Sequence, residues 1–326
     1  HRFFEEAESH LKRILEIEPK VIAYDLHPDY FSTRWALAQT GMERVGVQHH
    51  HAHIASCMAE NHLEGKVIGV ALDGTGYGLD GNVWGGEVLV ADYLEFERAA
   101  HFANVRMPGG SLAILEPWRM AVSYLAQHFG EELLSLQIPF VEQLNRSRVE
   151  VLLRMIERGV NSPLTSSCGR LFDAVAALAG IRQKVTYEAQ AAIELEMAIE
   201  DRDDDQAYPL ALVEDGNGLV IDTRPLFQGL VQDLRDGCPV GPISQRFHNG
   251  LVVIFARLCV LLRQRTALNR VCLSGGTFQN VYLLERLSAR LASEKFEVFT
   301  HTEVPAGDGG LSLGQALVAA HRFRQL

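Results

Sequence analysis

Twice in this chain a short apolar run breaks off into glycine. Lys66–Leu72 (KVIGVAL) leads through Asp73 into GTGYGLDG, and Val271–Leu273 leads through Ser274 into Gly275-Gly276. A short apolar run closed by a turn signal reads as a buried strand, and helix-spaced apolar residues fill the segments between such runs. Strands alternating with helices need a sheet covered by helices, so the predicted class is α/β. The 326 residues allow about two domains. With 47% hydrophobic and 22% charged residues, the composition is globular.

The same numbers narrow the function classes. A net charge of −11, from 30 basic against 41 acidic residues, argues against a long nucleic-acid groove, which must neutralise many phosphates. No apolar run reaches the roughly 18 residues of a membrane span. The opening HRFFEEAESHLKRIL lacks the apolar centre and cleavage site of a signal peptide and has no initiator Met, so it reads as the start of a fragment. Five cysteines (Cys57, Cys168, Cys238, Cys259 and Cys272) form no CxxC pair, which fits buried thiols in a reducing cytoplasm.

Along the chain, helix is predicted over Glu5–Ile17, stopped by Glu18-Pro19. Strand Val21–Tyr24 opens into the polar segment Asp25–Ala36, with helix resuming near Ser32 and a strand at Glu43–Val47. A His-rich helix follows at His50–His62. Lys66–Leu72 and Val83–Tyr93 read as a hairpin with a long glycine connection. Helices are expected over Trp118–Phe129, Glu142–Glu157, Leu171–Gly180, Tyr187–Glu200 and Leu251–Gln264, with a solvated charge run at Glu200–Asp205. A strand–glycine–helix unit (Val271–Leu291), a strand (Glu297–His301) and a final helix complete the reading.

The chemistry concentrates in a few places. In VQHHHAH, His49 and His53 are four apart, so a helix sets both imidazoles on one face. That is half of a divalent-metal site, or a polar helix start whose histidines only hydrogen-bond. Asp73 ends a strand, where α/β sheets place ligands. The glycines after it let backbone N–H groups approach phosphate, although a plain hairpin connection also explains them. Gly275-Gly276 stands before a helix N-terminus, which suits an anion, or is simply a tight turn. Asp308, before the last helix, reads on its own as an N-cap. Two glycine turns in separate halves suggest a nucleotide held from both sides, beside a metal on carboxylates and imidazoles.

These residues resemble a known family. Val47–Asn61, Ala71–Glu87, Leu273–Asn280 and Gly307–Ala316 look like the C-terminal region of HypF, the carbamoyltransferase of nickel–iron hydrogenase maturation. Ala23–Ala36, Glu116–Ala121 and Gly169–Gly180 fit as well. That region is similar to TsaD-type proteins of tRNA threonylcarbamoyladenosine synthesis and to antibiotic O-carbamoyltransferases. The resemblance implies the ASKHA fold of actin and sugar kinases, two RNase-H-like lobes around a nucleotide cleft. Residues 1–66 with 305–326 would form lobe I, its first hairpin missing. Residues 67–304 would form lobe II with a helical insertion.

The family's metal ligands fall on His49, His53 and Asp308 and, by analogy with the O-carbamoyltransferases, on Asp73. Its nucleotide contacts fall on Gly275, Gly276, Asn280 and Asp173, and around Gly74, Thr75 and Gly76. Two imidazoles with carboxylates suit Fe(II) or Zn(II) better than Mg(II). His50 and His51 are candidate catalytic groups that support the ligands or face substrate, and His27 and Arg34 are candidates on the cleft rim. Glu87 either approaches the site or is an ordinary strand carboxylate, and Cys57 reads as a packed thiol.

The resemblance further implies carbamoyl transfer from carbamoyl-adenylate, derived from ATP, to the C-terminal cysteine of HypE. Complete family members carry an acylphosphatase-like domain, CxxC zinc fingers and a YrdC-like domain ahead of this region. Those motifs are absent from this sequence. The YrdC-like domain makes the adenylate, so this stretch is not expected to make it. The rival readings are transfer to a hydroxyl or to tRNA, and a non-catalytic nucleotide- and metal-binding docking module.

Overall fold

A computed structural model describes residues 2–200, 204–216 and 218–324, so positions 201–203 of the charge run lie outside the described residues. α1 (Arg2–Leu15) lies on the outside and meets the body through Phe4, edge-on to Phe31 and Trp35. β1 (Val21–Asp25) and β2 (Glu43–Val47) pair in parallel, with α2 (Phe31–Ala38) as the crossover that parallel strands require. Asp25 stands opposite Val47, so the end of β1 lies beside the start of α3 (His49–Glu60). The Gln48 side chain caps α3 by accepting from the His51 N–H.

β3 (Val67–Tyr77), β4 (Val83–Ala91) and β5 (Phe96–Phe102) form an antiparallel meander. A helical region follows: the two-residue strand β6 (Val105–Arg106), α4 (Leu112–Leu115), α5 (Trp118–Phe129), α6 (Pro139–Glu142) and α7 (Arg146–Arg158). It continues through β7 (Leu164–Thr165), α8 (Cys168–Leu178) and α9 (Gln190–Met197). β8 (Ala211–Glu214), β9 (Leu219–Asp222), α10 (Arg224–Arg235) and α11 (Val240–Thr266) come next. The chain closes with β10 (Arg270–Ser274), α12 (Val281–Ser293), β11 (Glu297–Phe299) and α13 (Leu311–Phe323).

The larger sheet is mixed and runs β11-β10-β3-β4-β5-β9-β8, with β7 joining β4 and β6 off that path. Along β3 the side chains alternate between two cores. Ile68, Val70 and Leu72 face the core shared with α5, α8 and α11, while Val67 and Ala71 face the one shared with α3 and Val318 of α13. At Gly69 an added Cβ would stand 2.5 Å from Ile54 Cγ1, so this glycine lets α3 lie on the sheet.

Several expectations need correction. The first strand does not stop at Leu72 before a long connection. β3 runs to Tyr77, and the register slips between Leu72↔Gly86 and Gly76↔Trp84, which bulges Asp73, Gly74 and Thr75 out of the ladder. The helix expected from Leu251 begins at Val240. Its first turns bury Gln245, His248 and Asn249, which bond Asp204 O, Ser244 O and Gln206 O, and these polar residues mask the apolar period. β5 and β9 lie outside the predicted strands. β5 reads FERAAHF, and its Glu97, Arg98 and His101 break the apolar run that marks a strand. α11 is long and apolar enough to cross a membrane by composition, with mean hydropathy 1.3, but 72% of that window is buried inside the fold.

α13 crosses α3 at Gly314, where a Cβ would fall 1.9 Å from Ala52 O and 2.8 Å from Ser56 N. Gly314→Val should therefore force the helices apart and cost about 1–3 kcal/mol of overpacking, read by chemical denaturation. Unchanged stability would show that the two helices are not held this closely.

Candidate metal and nucleotide site

Four residues far apart in sequence meet at the N-terminal end of α3. One ligand atom from each of His49, His53, Asp73 and Asp308 lies within 4.8 Å of the others. His49 Nε2 is 3.3 Å from Asp73 Oδ2 and 3.5 Å from Asp308 Oδ1, and His53 Nε2 is 3.7 Å from each. The helix supplies the two imidazoles one turn apart, the β3 bulge supplies Asp73, and the loop before α13 supplies Asp308. Asp308 is not an N-cap, because its side chain makes no cap bond and turns to the imidazoles instead.

This donor set fits a divalent cation. Both Nε2 atoms are buried and have no hydrogen-bond partner among the described residues. Zinc–ligand bonds of about 2.0–2.1 Å in a tetrahedron put neighbouring ligand atoms about 3.3 Å apart, close to the separations here. Three of the four groups are buried, while the Asp308 side chain is 69% exposed and marks the open side.

The charges are tightly set. Burial works against a charged His49, yet its contacts with Asp25, Asp308 and Asp73 push its pKa up to about 12. His53 is raised in the same way by Asp308 and Asp73, against its burial. Asp73 is also buried, and the two imidazoles hold it far below the usual carboxylate range. The imidazoles likewise hold Asp308 down. At 3.3–3.7 Å these are ion-pair contacts rather than hydrogen bonds, and a bound cation would take the place of the imidazolium protons.

The orientation of His49 comes from a residue that sequence reasoning left unassigned. Asp25 Oδ2 lies 2.8 Å from His49 Nδ1, so the other ring nitrogen faces the quartet. Asp25 Oδ1 accepts the His27 N–H at 2.8 Å, and Thr33 Oγ donates to Asp25 O. A signal was available, because Asp25 ends an apolar strand as Asp73 does. Asp73 Oδ1 in turn accepts the Gly276 N–H at 3.0 Å, which ties the quartet to the second glycine turn.

The remaining candidates separate by environment. His50 Nδ1 accepts from Gln48 Nε2 at 3.2 Å, and its buried Nε2 is 3.8 Å from Glu87. His51 Nε2 meets Asp92 O at 2.6 Å and its ring lies against Phe96, so it faces the β4–β5 turn. His27 stacks on Tyr30 at 4.2 Å and meets Tyr77 at 5.3 Å. Arg34 is exposed on α2 and donates to Asp29 O. Glu87 is fully buried and accepts from Arg98, Ser166 and the Gly85 N–H, while Arg98 lies over Trp84.

Around the two glycine turns the glycines have distinct uses. Gly275 takes φ +108, and a Cβ there would fall 2.1 Å from Leu72 O. A Cβ on Gly76 would lie 2.4 Å from His50 Cε1, so this glycine makes room for the imidazoles, while Gly74 is open to at least 4 Å. Ser167 caps α8 and donates to Gly74 O at 2.6 Å, bringing that helix N-terminus to the bulge beside Thr75. A 3-10 turn at Gly276–Gln279 separates the glycine pair from α12. Asn280 caps α12, and its amide nitrogen meets His248 Nε2. Asp173 is buried with its carboxylate 2.7 Å from Arg170 Nε, and burial raises its pKa against the pull of that guanidinium.

The chain resembles known proteins over nearly all of its length. Residues 69–315 match the family model "Carbamoyltransferase, Kae1-like Domain, second subdomain", and residues 1–60 match "HypF Kae1-like domain". The carbamoyltransferase HypF of Synechocystis is 38% identical over 96% of this chain and 42% of its own length. A HypF homolog of Cupriavidus necator is 38% identical over 93% of this chain and 78% of its own length. A crystal structure of full-length HypF in the phosphate- and nucleotide-bound form superposes with TM-score 0.93 and 42% identity, covering 98% of this chain and 49% of that one. HypF of T. kodakarensis gives TM-score 0.88 and 32% identity, covering 99% and 43%. The chain thus spans less than half of most of these relatives, and its mixed α/β architecture is the ASKHA-like fold of the Kae1-like domain.

Asp25 is open to a direct check. Asp25→Asn should weaken Zn(II) binding about 10–100-fold while leaving one site per chain, because ring orientation is lost but no ligand is. Wild-type affinity in a competition titration would show that Asp25 does not orient His49.

Proposed function

We propose that this chain, which belongs to the HypF carbamoyltransferase family, receives carbamoyl-adenylate beside the quartet and transfers its carbamoyl group to the C-terminal cysteine of HypE. The observation that carries this reading is the bond from the Gly276 N–H to Asp73, which ties the second glycine turn to the metal-compatible cluster. The backbone around Gly74, Thr75 and Gly76 would face the phosphate, and Gly275, Gly276 and Asn280 the adenosine side. Asp173 would need Arg170 to move before it could meet a ribose. His27 and Arg34 on the rim, and the buried His50, whose Nε2 has no hydrogen-bond partner among the described residues, are the side chains assigned to the carbamoyl group. His51 supports the helix through Asp92.

A metal held by His49, His53, Asp73 and Asp308, Zn(II) or Fe(II), would supply Lewis-acid charge for the departing phosphate. The acceptor thiolate would attack the carbamoyl carbon, forming the S–C bond as the C–O bond to AMP breaks. AMP leaves with that electron pair, and the product is a thiocarboxamide. The adenylate would be made by the YrdC-like domain of longer family members. Residues 1–66 with 305–326 would form one lobe of the cleft and 67–304 the other. The five free cysteines support a reducing compartment such as the cytoplasm.

The test supplies carbamoyl-adenylate, generated by a separate YrdC-like domain, and measures carbamoylation of HypE by mass spectrometry. Transfer is expected to the terminal cysteine, to vanish when that cysteine is alanine, and to fall to background in the His49→Ala/His53→Ala double variant. Transfer to a hydroxyl or to tRNA would contradict the proposal, as would an adenylate that is bound but never consumed.

A further inference from the structure

Asp308 reaches the quartet from a loop, and the other end of α3 shows what holds that loop. Glu60 is the last residue of α3, at the opposite end from His49. Its Oε1 accepts the Thr302 N–H at 2.6 Å, the Thr302 hydroxyl at 2.8 Å and the Glu303 N–H at 2.6 Å. Its Oε2 lies 2.8 Å from His301 Nδ1, and His301 Nε2 lies 2.8 Å from Ser274 Oγ. With Nδ1–H donated to a carboxylate, Nε2 is bare, so the Ser274 hydroxyl donates to it. Next along the chain, the Gly275 N–H donates to Ala306 O at 2.9 Å and the Gly276 N–H to Asp73.

A Ser–His–Glu row can serve as a nucleophile, but this one is built differently. Ser274 is fully buried, and the N–H groups beside it that could hold an oxyanion are already engaged by Ala306 and Asp73. What the row does is join three segments: the end of α3, the loop leading to Asp308, and the glycine turn that bonds Asp73. We infer that Glu60, His301 and Ser274 are positioning residues that set Asp308 and Asp73 against the imidazoles of α3. Burial of the row, with His301 and Glu60 side chains 4% and 9% exposed, makes the geometry rigid because every member is bonded. Burial would raise the pKa of Glu60, yet the N–H groups of Glu303 and Thr302 hold it down at about 2, so it is a carboxylate at neutral pH.

This inference rests on the quartet being a metal site. The probe is Zn(II), titrated by chelator competition into wild type, His301→Ala, His301→Asn and Ser274→Ala, with melting of the metal-free proteins alongside. His301→Ala should bind Zn(II) about tenfold more weakly, as loss of outer support does elsewhere. His301→Asn, whose amide can still donate to Glu60, should recover most of that loss. Wild-type affinity in His301→Ala overturns the clamp and leaves the metal reading standing. Equal weakening in both His301 variants, tracking a lowered melting temperature, reduces the row to a structural contact and also overturns it. Should His301→Ala fail to fold, Ser274→Ala carries the test, with a smaller loss expected and unchanged affinity counting against the clamp. A wild-type protein that binds no Zn(II) removes the metal reading and the clamp together.

Discussion

The ion pair between Asp25 and His49 is the contact on which the site depends. A buried imidazole facing two carboxylates could take several orientations, and only one directs its Nε2 at both acids. Asp25 selects that orientation at 2.8 Å from Nδ1. The parallel pairing of β1 and β2 delivers Asp25 there, because it sets the end of β1 beside the start of α3. Local topology therefore fixes a ring, and the ring fixes which atoms can meet an ion.

The rest of the architecture brings the two acids to that ring. The β3 bulge turns Asp73 out of the sheet, and the Gly276 N–H holds one of its oxygens. Gly275 and Gly76 admit the close approaches that make this possible, one against the β3 backbone and the other against the imidazoles. Around them, Glu87, Arg98 and Ser166 form a buried and mutually bonded group beneath the bulge. Unpaired, such groups would cost several kcal/mol each, so the bonds of Arg98 and Ser166 to Glu87 offset much of the cost of placing a carboxylate this deep in the fold.

Much of this was legible in the sequence, for identifiable reasons. His49 and His53 sit at helical spacing, and Asp73 and Gly275-Gly276 each follow an apolar strand, so periodicity and turn chemistry found them. Family resemblance added Asp308, whose local sequence suggested only a cap. Asp25 was named merely as part of a polar segment, because the pairing that makes it important joins residues 24 apart. The long reach of β3 was hidden by its glycines, which look like a turn when bulge pairing is not visible. β5 and the first turns of α11 were hidden by charged and polar residues whose partners lie elsewhere in the chain.

The atoms that surround an ion at the head of α3 distinguish a metal site from a bare cluster of ion pairs. X-ray absorption at the zinc edge of the loaded protein reads them directly. Two imidazole nitrogens and light oxygen donors at about 2.0–2.2 Å, with no sulfur, are what the quartet predicts. A sulfur shell at about 2.3 Å, or scattering without imidazole, would place the metal elsewhere and contradict it.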